Sequence, residues 1–77
     1  MTDSFNLAGT YKRKQGAGRI YAYTIHGTTR TWEGLVRHGE QVKGVVGGTF
    51  KSPVANPGFR ARILVETAIE NLIQMRE

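Results

Sequence analysis

Apolar and polar positions along the chain change rhythm once. Between residues 19 and 50 they alternate with a period near two. From about residue 57 they follow the spacing of a helix. Arg19–His26 (RIYAYTIH), Arg30–His38 (RTWEGLVRH) and Val42–Phe50 (VKGVVGGTF) are rich in β-branched and aromatic residues and read as strands. Glycine-containing turns at Gln15–Gly18, Gly27–Thr29 and Gly39–Gln41 separate them. Strands joined by such short turns form an antiparallel meander. Tyr11–Lys14 is a short extended stretch that adds an edge strand in the four-strand version of this reading, and residues 1–8 read as a flexible tail. Residues 51–56 form a proline-containing loop. Asn56-Pro57 then opens a helix, since asparagine suits the N-cap and proline at the first helical position gives up no needed hydrogen bond. The helix is expected over about residues 57–76. The fold class is therefore α+β: a meander of three to four strands over about residues 10–50, with one C-terminal helix packed on one sheet face, all in a single domain over residues 9–77.

The helix predicts its own buried stripe. Ala61, Val65, Ala68, Ile69, Leu72 and Ile73 share a face, which Leu64 and Met75 widen; Arg62, Glu66, Glu70 and Gln74 lie opposite, with Ile63 among them. A three-residue turn at Gly39–Gln41 sets Trp32 opposite Gly48 and Val36 opposite Gly44, large against small, which makes a level surface for the helix. Trp32, Val36, Val42, Val46 and Phe50 are then the core positions of the sheet. The first of the three strands has two equal solutions. Either Tyr21, Tyr23 and Ile25 face the helix, or Ile20, Ala22 and Thr24 do, because a one-residue change of register exchanges the two sets.

Composition narrows the functional classes. The chain has 77 residues and no cysteine, so disulfides, cysteine-containing zinc sites and thiol chemistry are excluded. A chain this short buries only about 60% of the surface its unfolded form exposes, which makes homo-oligomerisation a natural source of added stability. No apolar run approaches the roughly 20 residues of a membrane span, and the first residues do not resemble a signal peptide, so the expected setting is cytoplasmic. The net charge is +5. Between Gly9 and Phe50 seven basic residues (Lys12, Arg13, Lys14, Arg19, Arg30, Arg37 and Lys43) face two acids, Glu33 and Glu40. A basic sheet and a nearly neutral helix favour an anionic partner such as nucleic acid.

Candidate chemistry is sparse. His26 and His38 fall at opposite ends of neighbouring strands and cannot share a metal within one subunit. The glutamates form no metal-like set, and Asp3 is too far along a loose tail to complete a Ser-His-Asp arrangement. Gly44-Val-Val-Gly47 has the form of a G-x-x-G loop but lies in a strand-like run with no helix after it, so its glycines read as room for Trp32 or as strand bends. No enzyme activity, cofactor or metal is expected. The basic, tyrosine-containing segment is the suggestive one. Lys12, Arg13, Lys14, Arg19, Arg30, Arg37 and Lys43 supply phosphate contacts, and Tyr21 and Tyr23 stack on bases if they stand on the open face. In the other solution both tyrosines are core residues with their hydroxyls at its edge.

The run Gly9-Thr-Tyr11-Lys-Arg-Lys14, its glycine turn, the aromatic strands and the closing helix resemble the arm-type DNA-binding domain of phage-like integrases. That resemblance implies a three-stranded sheet in the major groove backed by one helix, with Lys12, Arg13, Lys14 and Arg19 on phosphates or bases. Ile20-Tyr21 stands where that family usually carries a tryptophan. The chain equally resembles small bacterial proteins of unassigned activity. Two functional expectations follow. One is a non-enzymatic nucleic-acid-binding module; the other is a protein-interaction or self-assembly module that uses a sheet edge or the helix surface around Ile63.

Overall fold

The computed structural model describes residues 4–51 and 55–75. Four strands, β1 (Phe5–Lys12), β2 (Ile20–Gly27), β3 (Thr31–His38) and β4 (Gln41–Thr49), form one antiparallel sheet in the order β1-β2-β3-β4. A single helix, α1 (Pro57–Glu70), packs across one face of it. This is the expected α+β meander, in its four-strand form. The other face is open.

β1 begins earlier than the expected Tyr11 stretch. Residues 5–8, read as part of a tail, are strand: Phe5 pairs with Gly27 and the ladder continues to Lys12 opposite Ile20. The reason is the alternation of Phe5, Leu7, Gly9 and Tyr11 with Asn6, Ala8, Thr10 and Lys12, which turns an apolar row towards the helix. Residues 1–3 of that tail lie outside the described residues.

β2 settles the open choice of face. Tyr21, Tyr23 and Ile25 are buried under the helix, while Ile20, Ala22 and Thr24 are exposed on the open side. With them, Trp32, Val36 and Val46 from the sheet and Ala61, Val65, Ala68 and Ile69 from α1 complete the core. Two glycines let this core close. A methyl group on Gly34 would stand 2.9 Å from Val65 Cγ2, so its absence lets α1 sit down on β3. One on Gly9 would stand 2.8 Å from the Tyr23 hydroxyl, so the tyrosine ring occupies that space instead.

The expected pairings of Trp32 with Gly48 and Val36 with Gly44 hold, but by a different route. The β3–β4 turn has two residues, with Gly39 at φ +64°, and His38 pairs directly with Gln41. A bulge then restores the register: Arg37 pairs with Val42, Val36 pairs with Gly44, and Lys43 has no partner across the ladder. The side chains are re-aimed accordingly. Val42, expected in the core, is 49% exposed, and Lys43 is 6% exposed. Phe50 is only partly buried against the core.

α1 starts where expected, with Asn56 at the N-cap and Pro57 in the first turn, although the Asn56 side chain makes no capping hydrogen bond. It ends at Glu70, earlier than the expected residue 76. The Leu72 N–H donates to the Ile69 carbonyl at 3.2 Å and the Ile73 N–H to the Ala68 carbonyl at 2.9 Å, with Leu72 left-handed at φ 54°. These two bonds close the helix as a Schellman motif. Ile73, expected on the buried stripe, is therefore exposed.

Candidate nucleic-acid interface

The meander puts two of its turns at one end of the sheet. The β1–β2 turn (residues 13–19) and the β3–β4 turn (Gly39–Glu40) lie side by side there, and the C-terminus of α1 arrives at the same end, where Glu70 meets Tyr11 and Arg13. The β2–β3 turn is at the far end.

This topology sorts the basic residues. Lys12, Lys14, Arg19 and Arg37 are exposed around the two-turn end. Arg30 is exposed but sits at the far end, in the β2–β3 turn, where its carbonyl accepts from the Phe50 N–H at 2.7 Å. Lys43 is the buried bulge residue, so the expected phosphate contact there does not fit. Arg13 is drawn to the helix end. Its Nε and Nη2 both donate to the Glu70 carbonyl, at 3.0 and 2.8 Å. That carbonyl is among the last of α1 and lacks a helical partner, and a guanidinium there also complements the negative end of the helix dipole. The uniform basic sheet face expected from composition is thus a basic end. Among the described residues the open face itself carries only Lys12, Arg37, His26 and Glu33 as titratable groups, among Asn6, Ala8, Thr10, Ile20, Ala22, Thr24, Thr31, Leu35, Val42 and Val45.

Two of the three tyrosines are withdrawn from the surface. Tyr21 and Tyr23 are 1% and 2% exposed, so neither ring can stack on a base in this fold. Tyr21 lies 5.5 Å from His38, centroid to centroid. Two tyrosines instead form a pair of latches to the helix. Tyr23 donates to Glu66 Oε2 at 2.8 Å, and Tyr11 donates to Glu70 Oε1 at 2.7 Å. The spacing is geometric: four helical residues rise about 6 Å, close to the about 6.6 Å of two strand residues, and Tyr23 pairs with Gly9, two residues before Tyr11. Glu66 also accepts from Arg62 Nε at 3.4 Å, one turn earlier.

Glu70 is the hub of this end. Besides the tyrosine, its carboxylate accepts the backbone N–H groups of Lys14, at 2.9 Å, and Gln15, at 3.2 Å. These bonds, the Lys14 one foremost, lower its pKa to about 2. The Tyr11 hydroxyl is pushed up, chiefly by its bond to that carboxylate. The Tyr23 hydroxyl is pushed up by burial first and by its bond to Glu66 second. Glu66 and Glu70, expected on a solvent face, are only partly exposed. The sequence signal for the latch was the four-residue spacing of the two acids, met by tyrosines on neighbouring strands.

His26 pairs with Glu33 across β2 and β3 at 3.3 Å, both largely exposed. Among the described residues no group of three or more metal-binding side chains comes together, and no helix is long and apolar enough to cross a membrane. Compared with protein-family models, with curated proteins and with solved structures, the chain matches none.

Proposed function

We propose that the protein is a non-enzymatic nucleic-acid-binding module that meets the phosphate backbone with the two-turn end of its sheet. One observation carries the reading: Lys12, Lys14, Arg19 and Arg37 are exposed around that end, while the carboxylate of Glu70 beside them is occupied by the Tyr11 hydroxyl and two backbone N–H groups. Glu40 is the one exposed acid in the two turns. Phosphate contacts position a protein on nucleic acid without reading its sequence. With Tyr21 and Tyr23 in the core, and an open face made mostly of small and aliphatic side chains, little is left to stack on bases or read their edges. The binding is therefore electrostatic and tolerant of sequence.

Fluorescence anisotropy with short duplexes at rising salt tests this. Four phosphate contacts give a slope of log affinity against log salt of about −3.6 on duplex DNA. Replacing Lys12, Lys14 and Arg19 together with alanine removes three contacts and flattens that slope to about −1. Absence of binding at low salt, or a slope that the triple variant leaves unchanged, overturns the proposal.

A further inference from the structure

We propose that the open sheet face is the docking surface for a second copy of this chain, packed sheet on sheet with the strands of the two copies antiparallel. The face carries apolar side chains at the end of β2, along the edge strand β4 and at Leu35 between them. Ile20, Val42 and Val45 are 58, 49 and 48% exposed on it, and Leu35 is half-buried between Thr24 and Val45. A shallow depression lined by Ala8, Ala22, Thr24, Leu35 and Arg37 runs through the centre.

The occupant is identified by how charge and size are laid out along the ladder. On β3 the outward residues are Thr31, Glu33, Leu35 and Arg37. Arg37 and Glu33 are four residues apart, about 13 Å, too far to pair within one chain, where Glu33 meets only the exposed His26 among the described residues. They lie symmetrically about Leu35. A two-fold axis lying in the interface, across the strands at the level of Leu35, therefore brings Arg37 of each copy opposite Glu33 of the other. The same operation sets Ala22 opposite His26 and Val42 opposite Gly47, small against large, because these pairs occupy matching levels on β2 and β4. An isologous contact requires this kind of self-complementarity. The other face-to-face two-fold, with the axis along the strands, would place the basic ends of both copies together and is opposed by their repulsion.

The scale fits a reversible dimer. Four strands about 4.8 Å apart and eight residues long present about 500 Å² in plan. That is on the small side against the roughly 800 Å² per partner of stable interfaces. Aligned sheet packing of this kind is a common way to cover an open face.

Sedimentation velocity across a concentration series of the full chain decides between one copy and two. The unmodified chain is expected to pass from monomer to dimer with concentration. Leu35→Glu, which sets like charges on each other at the axis, and Arg37→Glu, which sets two acids opposite, are each expected to weaken association about tenfold or more. Glu33→Arg does the same, and the double exchange Arg37→Glu with Glu33→Arg restores association. Both charged positions are exposed, and circular dichroism of each variant verifies the fold. A monomer at every concentration, a dimer indifferent to Leu35→Glu, or a double exchange no better than either single change overturns the proposal.

Discussion

Replacing Tyr23 with phenylalanine separates a structural tyrosine from a base-stacking one. The change keeps the aromatic ring over Gly9 and removes only the hydroxyl, which donates to Glu66 Oε2 at 2.8 Å. A hydrogen bond to a charged group is worth about 1.5–3 kcal/mol. Glu66 keeps its bond from Arg62 to the same oxygen, so the carboxylate is not orphaned, and the loss falls near about 1.5 kcal/mol, the low end of that range. In a chain of this length each kcal/mol moves the melting temperature by about 6 °C, so the midpoint should drop by about 9 °C. The protein carries its own probe: Trp32 is its one tryptophan and is buried, so its fluorescence reports the loss of the core in urea. The urea midpoint should fall with the slope of the transition unchanged. A variant as stable as the parent would remove the latch from the energetics of the fold. Were Tyr23 a stacking residue instead, phenylalanine would preserve both stability and nucleic-acid binding.

Three further outcomes are expected. Because the Glu70 pKa is lowered to about 2 in the folded state, its contribution to stability is complete above the ordinary value of 4.5 and is lost as pH falls from there towards 2; Glu70→Gln should flatten acid unfolding in that window, as followed by Trp32 fluorescence. Arg13→Ala should cost about 1 kcal/mol by uncapping α1, whereas Lys12→Ala should leave thermal stability within about 0.5 kcal/mol, a contrast that calorimetry can read. Gly34→Ala should cost about 1–3 kcal/mol, because the added carbon meets Val65 Cγ2 and α1 must shift; a stable variant with unchanged hydrogen exchange in the helix would refute the close approach.

The meander, the start of the helix and most of the core were legible in the sequence because each rests on a local signal. Alternation marks the strands, glycine marks the turns, and Asn56-Pro57 marks the helix start. What was not legible depends on long-range partners. Arg13 looked like one member of a basic run, and nothing within that run says that it will reach the Glu70 carbonyl 57 residues away. The tyrosines were ambiguous because Ile20, Ala22 and Thr24 make an equally good alternation, and only a helix presenting Glu66 and Glu70 one turn apart favours the hydroxyl-bearing face. Charge composition misled most. It counts Lys43 and Arg13 as free surface charge, while the fold buries the first and uses the second as a cap.

The bulge at Lys43 makes the length of β4 as informative as its chemistry. A two-residue turn alone would pair Val36 with residue 43, and every later residue of β4 would then point to the wrong side. The extra residue corrects this count once, and Val46 and Gly48 reach their places under the helix and under Trp32 only after it. Substitutions between Gln41 and Gly44 change one side chain each. Deleting Lys43 would remove the bulge, and the two-residue turn would then pair Val36 with Gly44 and Gly34 with Val46 directly, whereas deleting Val45 would turn Val46 outward. Among variants of this chain, losses of one residue should therefore be tolerated at the bulge and be far rarer between Gly44 and Val46.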